Sequence, residues 1–425
     1  MGVLVVEELD SRGRDLASMV LPSWGRVVSI DGVVPFAMLD DIGAPVEPVQ
    51  TFLRDFTACG NRAGSARSYA FALLRWWRFL LAVDVAWNHA TAAETRDFVL
   101  WLKQAAKPVA AYRTASLKLI GTVNPVTRKE YLGDDYKPRT VRHSNAVLRT
   151  FYQFWIEQGH GPLVNPVPLA RRHGGSRPNE HHNPLQPFRP EGRLRYNPPL
   201  PKRRPRAIPD AAWNDLFTAL GSHRDRALLA LAISTAARAS ELLGVKACDV
   251  DWGEQLIRVR RKGTDAEQWL PASPEAFVWL RLYLGGLSRM APSDALWWTL
   301  RRRRRGEARP QRVELSYDAL RAVLRRANAL LGANWTMHDL RHTCALRMTR
   351  NANLSLRDIQ TLLGHAHLST TQIYLEDDDH AVIARVRQHH AELEERAARQ
   401  PRPALPGAEY DVGDMSVLFG TGAGR

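Results

Sequence analysis

A few polar side chains in the second half of the chain sit at spacings suited to phosphate chemistry. The segment "ISTAARASELLGV" is small and apolar apart from Arg238 and Glu241. An arginine buried in such a helix is costly unless it meets an anion. Glu241, three residues on, shares its helical face and can orient the guanidinium, or the two can form a purely structural ion pair. "MHDLRHTCALRM" sets His338 and Arg341 three apart, on one side of a helix. One can hydrogen-bond an oxygen while the other forks onto a phosphate. His342 is expected to point elsewhere and to be structural. "LSLRDIQTLLGHAHLSTTQIYL" reads as a helix over 355–363 stopped by Gly364, with His365 just past the stop and Tyr374 further on. Taken singly, that histidine reads as structural and that tyrosine as core.

As an ordered set, these residues gain a common purpose. Two arginines, a lysine in a turn (Lys262), two histidines and a downstream tyrosine are what a metal-free attack on a phosphodiester requires. Arginines clamp the non-bridging oxygens and offset charge in the transition state. A tyrosine has a reference pKa of about 10, so roughly one in a thousand is ionised at neutral pH. It needs a cationic field or a base to become a nucleophile. The leaving 5′-oxygen needs a proton donor, a role open to lysine or histidine. No carboxylate cluster points to a magnesium or zinc site and no Gly-rich loop to a nucleotide, so no cofactor is expected.

These residues need a scaffold, and the pattern supplies one from about Ile208. "PDAAWNDLFTAL" and "HRDRALLALAISTAARASELLGV" read as helices. "DVDWGEQLIRVRRKGTDAEQWLPAS" reads as two strands around a turn at Lys262-Gly263-Thr264. Three or more helices follow, with a charged loop over 301–312 that receives no role. Ahead of this domain, residues 48–168 read as all-helical. Tyr69, Leu73, Trp76, Trp77, Leu80 and Leu81 fall at helical spacing, and Val141, Leu148, Phe151 and Trp155 share a face, with Gly159 as a stop. Thr91 and Glu94 form a capping-box pattern. The tryptophans are expected in the core, and the arginines either in solvent or on phosphates. Residues 1–47 read as an irregular lead-in with short extended pieces. Residues 169–206, rich in Pro, Arg and His, read as a basic linker, either following a phosphate backbone or acting as a tether. The remaining divisions are a catalytic domain over 207–390 and a tail over 391–425. Candidate DNA contacts are Arg67, Arg75, Arg139, Arg142, Arg203 and Arg204.

The 425 residues carry a formal net charge of +15. That balance favours a polyanionic partner, nucleic acid ahead of a membrane surface. Three distant cysteines, Cys59, Cys248 and Cys344, fit a reducing compartment with neither a disulfide framework nor a zinc site. No signal peptide and no apolar run of the ~18 residues a span needs is evident, so a cytoplasmic protein with no membrane partner is expected.

In this order and spacing the motifs resemble the tyrosine recombinase (phage integrase) family. "TAARASE" matches the segment bearing the family's first active-site arginine, with Ala236 where glycine is common. "HDLRH", "LLGH" and "STTQIY" match the later motifs, and Lys262 the hairpin lysine. The resemblance implies a mainly α fold with a small antiparallel β-hairpin. It implies a two-domain DNA clamp, with a helical core-binding domain and a mixed α/β catalytic domain. It implies that Tyr374 forms a 3′-phosphotyrosine bond, Arg238 and Arg341 hold the phosphate, Lys262 is the general acid, and His338 and His365 assist, with Glu241 and His342 in support. It further implies double-stranded DNA as partner, a homo-tetramer on two DNA sites, exchange of a C-terminal segment between neighbours, and a possible accessory or directionality factor. A type IB topoisomerase and a catalytically inactive DNA-binding protein are the alternative readings.

Overall fold

The computed structural model describes residues 14–107, 119–131, 133–170, 193–201, 206–287, 290–301, 311–365, 369–372, 374, 386–393 and 395. The chain forms two compact units, Met1–Lys202 and Arg203–Arg425.

In the first unit a hairpin of β1 (Arg26–Ser29) and β2 (Phe36–Leu39) precedes four helices: α1 (Glu47–Ala58), α2 (Ala63–Ala82), α3 (Ala92–Gln104) and α4 (Pro138–Glu157). The strands pair antiparallel, with Val27 opposite Met38. The Thr91–Glu94 capping box opens α3, satisfying donors that a helix start leaves over. Gly159, at φ +73°, stands just past the end of α4. Trp76, Trp77 and Trp101 are core residues. Trp76 donates to the Tyr152 hydroxyl at 2.8 Å, and Tyr152 donates to the Trp87 carbonyl at 2.8 Å. Trp155 is half-buried and Leu81 exposed, because Leu81 lies off the packed stripe of α2.

The lead-in has the extended piece expected at 25–30, as β1, and its residues 14–47 are folded onto this unit: Met38 is fully buried in the core, and Arg78 donates to the carbonyls of Trp24 and Gly25. Arg14 pairs with Glu94 and Asp97 at 2.8 Å. The linker, too, returns to the unit. Leu169 bridges Leu194, and Asn145 donates to the Tyr196 carbonyl and the Asn197 side chain. Leu194 and Tyr196 are apolar enough to pack, whatever the prolines around them. Residues 171–192 of that linker, with Arg203 and Arg204, lie outside the described residues.

The second unit contains α5 (Asp210–Thr218), α6 (His223–Thr235), α7 (Ala239–Leu243), the strands β3 (Val250–Asp251), β4 (Leu256–Arg260) and β5 (Glu267–Pro271), then α8 (Pro274–Gly285), α9 (Tyr317–Leu331), α10 (Met337–Thr349), α11 (Leu356–Leu363) and α12 (Ser369–Gln372). The three strands form one antiparallel sheet in the order β3-β4-β5, with Ile257 opposite Leu270. Beyond a charged first turn, helix α6 is apolar from Ala227 to Ile233 and is buried accordingly, through Leu228, Leu229 and Leu231 among others. A separate small cluster joins Ala236, Cys344, Ala345, Ile359 and Leu363 to Tyr374. Residues 386–393 are helical and exposed, while 302–310, 375–385 and 396–425 lie outside the described residues. No helix among the described residues is long and apolar enough to cross a membrane.

Candidate active site

The segment expected as one helix over 223–245 is broken in two. Ala236 adopts φ +54°, which ends α6, and Arg238 becomes the residue preceding α7. Arg238 therefore stands at a helix start and is not inside a helix. The break leaves the Ala236 carbonyl without a helical partner, and Arg341 Nη1 takes it at 2.6 Å. A left-handed residue is the reason a glycine would suit position 236.

Glu241 organises one side of the site. It is 3% exposed. Its carboxylate accepts from the Arg238 main chain at 2.9 Å, Arg238 Nη1 at 2.7 Å, Arg261 Nη1 at 3.1 Å and the Lys262 main chain at 3.1 Å. Burial alone would raise this carboxyl, but the donors from Arg238 and Lys262 hold it below the usual range. Glu241 therefore stays charged and fixes Arg238 relative to the turn bearing Lys262. The Lys262 side chain is exposed beyond that anchor.

Arg341, on α10, is 4% exposed. Its Nη2 donates to the Leu363 carbonyl at 2.6 Å and to His365 Nε2 at 3.0 Å. Burial, then the nearby Arg238 guanidinium, pull its pKa down to about 10, and it remains a cation at neutral pH. Arginine only donates, so His365 Nε2 must accept. The ring proton then sits on Nδ1 and is given to Thr371 Oγ1 at 2.9 Å. This tautomer is neutral: burial and then Arg341 lower His365 to about 4. Gly364, at φ +59°, turns the chain out of α11 and delivers His365 to this position.

Tyr374 is 7% exposed, and its hydroxyl lies 2.7 Å from His342 Nδ1. Burial raises the phenol pKa, and the Arg341 guanidinium opposes that rise. His342 was expected to point away, and this is corrected. It lies four residues after His338, a helical spacing that shares a face, and the two rings are 4.1 Å apart. His338 itself is exposed at the surface of α10.

Sequence reasoning missed Arg261. It is 5% exposed and donates to Glu241, to Gln268 Oε1 at 2.7 Å and to the Leu362 carbonyl. It thus ties the strand hairpin to the end of α11. A Cβ on Gly364 would lie 2.9 Å from Arg261 Nε, so the glycine also provides clearance. The signal was present: Ile257 and Val259 are the inward residues of β4, and Arg261 continues that alternation.

In the first unit, Arg67 and Arg75 of α2 and Arg139 of α4 line one concave surface of about 510 Å³, with Ser68, Phe71 and His143. Ser68 Oγ and His143 Nε2 meet there at 2.8 Å. Arg142 is not among the lining residues.

The site thus encloses a phenol among arginines and imidazoles. Residues 210–381 match the phage integrase family. The tyrosine recombinase XerD of Pseudomonas aeruginosa is 33% identical over 266 residues, covering 61% of this chain and 77% of that protein. The tyrosine recombinase XerC of Azotobacter vinelandii is 28% identical over 264 residues, 61% of this chain and 77% of that protein. A crystal structure of a lambda integrase(75-356) dimer bound to a COC' core site shares the fold, with a TM-score of 0.50, 14% identity, and coverage of 78% of this chain and 95% of that one. The chain belongs to the phage integrase family, the tyrosine recombinases, and is a site-specific recombinase that breaks and rejoins DNA strands.

Proposed function

We propose that Tyr374 is the nucleophile of this recombinase and that its attack on the scissile phosphate leaves a 3′-phosphotyrosine and a free 5′-hydroxyl. The observation that carries this reading is the enclosure of the Tyr374 phenol beside His342, in the field of Arg341 and Arg238. Arg238 and Arg341 hold the non-bridging oxygens and offset their charge. Lys262 protonates the leaving 5′-oxygen from the exposed turn, while His338 and His365 hydrogen-bond the phosphate. The phosphodiester energy is kept in the tyrosyl bond, so a 5′-hydroxyl from a second strand reverses the step without ATP.

The substrate is double-stranded DNA at recombination sites, with a homo-tetramer acting on two sites and with room for an accessory factor. The Arg67–Arg75–Arg139 surface suits a phosphate backbone, and the working compartment is the cytoplasm. The test is a covalent trap. Nicked fragments from the flanks of the protein's own gene are incubated with it and run on a denaturing gel. Wild type is expected to give an adduct and Tyr374→Phe none. An adduct that persists in Tyr374→Phe sinks the assignment. A two-site exchange assay then separates recombination from simple relaxation of supercoils.

A further inference from the structure

Tyr374 must lose a proton as it attacks, and burial makes that loss harder. Which group receives the proton is a question of reach. Arg341 and Arg238 are cations with nothing but hydrogens to offer. His365 has both ring nitrogens engaged, Nε2 by Arg341 and Nδ1 by Thr371. Among the described residues, the charged or titratable groups whose fields shift the phenol are Arg341 and Cys344 from α10 and Arg238 from the segment before α7. The Cys344 thiol is buried and pushed up to about 12, so it is a protonated thiol and no base at neutral pH. Among the described residues, the imidazole of His342 is the base within hydrogen-bond distance of the phenol oxygen, at 2.7 Å.

We propose that His342 is the general base of strand cleavage, taking the Tyr374 proton on Nδ1 as the phenol oxygen attacks phosphorus. This rests on Tyr374 being the nucleophile. The O–H bond of Tyr374 breaks, the N–H bond of His342 forms, and the O–P bond forms as the 5′-oxygen departs with a proton from Lys262. In religation the 5′-hydroxyl attacks phosphorus and returns its proton to Lys262, the tyrosyl O–P bond breaks, and His342 returns its proton to the departing phenolate. The imidazolium formed in between lies against the His338 ring, 4.1 Å away on the same helix, and is offset by the phosphate. His338 is thereby placed to keep the His342 ring upright while itself facing the surface.

His342→Asn places an amide where Nδ1 stood, so it keeps a hydrogen bond to Tyr374 and removes the basicity. Single-turnover formation of the covalent adduct on nicked DNA is followed against pH, beside equilibrium binding of the same DNA. Expected is unchanged binding, cleavage slower by about a hundredfold or more, and loss of the rise in rate with pH that the proposal expects of wild type. His342→Gln, with the same amide one bond further out, is the second variant should the Asn chain misfold. Cleavage within threefold of wild type overturns the proposal, and so does a slowed variant that keeps the wild-type pH rise. Wild type forming an adduct while Tyr374→Phe forms none, together with either of those results, leaves the nucleophile standing and removes only His342. No wild-type adduct on DNA that the protein binds, or an adduct in Tyr374→Phe, removes both.

Discussion

Arg341 spends its terminal nitrogens on two carbonyls and one imidazole, all inside the protein. A lysine offers a point charge without the planar fork, so it cannot meet Ala236, Leu363 and His365 together. Arg341→Lys is expected to lower cleavage by at least ~100-fold, the scale of removing one transition-state donor, with the adduct assay as readout. His365 gives a second expectation. Free, it titrates at about 4 because of burial and Arg341. A bound phosphate favours the cationic ring, so its pKa should rise on DNA binding, read by the ring proton shifts in NMR. The same depression bears on stability. The unfolded ring takes a proton near the ordinary value of about 6.5 and the folded ring only near 4, so the unfolded state binds more protons between them. The contribution of His365 to stability is complete above about 6.5 and is lost as pH falls toward 4.

At the scale of elements, the helix ends place the chemistry. α6 stops at a left-handed alanine and α11 at a left-handed glycine, and each stop leaves a carbonyl or a ring at Arg341. Ala236→Gly removes a backbone penalty of roughly 1 kcal/mol and should raise the unfolding midpoint without altering the adduct yield. Gly364→Ala should do the reverse. It adds strain at φ +59° and brings a Cβ to 2.9 Å from Arg261 Nε. Thermal unfolding is expected at lower temperature, by about 1–2 kcal/mol of stability. Cleavage should slow as well, because Arg261 holds Glu241 and the end of α11 at once.

For the whole molecule, the charge of +15 predicts DNA affinity that falls steeply with salt. Arg67, Arg75 and Arg139 supply part of that term if their shared surface meets phosphates. Replacing all three by alanine should reduce the slope of log affinity against log salt by up to about 3, at roughly 0.9 for each phosphate contact. An unchanged slope would place the phosphate contacts elsewhere. The helical core beneath that surface, around Trp76 and Phe151, should be unaffected, so circular dichroism of the triple variant should match wild type.

The sequence by itself determined the helices, their caps and the candidate residues, because these depend on near neighbours. Thr91 with Glu94, Gly159 and Gly364 announce helix ends through local hydrogen bonding and backbone freedom. The motifs around Arg238, Arg341, His365 and Tyr374 were legible because each is short. The tertiary structure decided what lies across space. An alanine does not by its own type mark position 236 as left-handed. That conformation is held by a long-range bond, since the carbonyl it frees is met by Arg341, more than a hundred residues away. The folding of residues 26–39 into the first unit likewise follows from burying Met38, and from Arg78 reaching back to Trp24 and Gly25. His342 was given a structural role because a one-dimensional pattern shows which residues share a helix face but not what another segment brings to that face. Only packing against the Tyr374 segment turns that histidine into the phenol's partner.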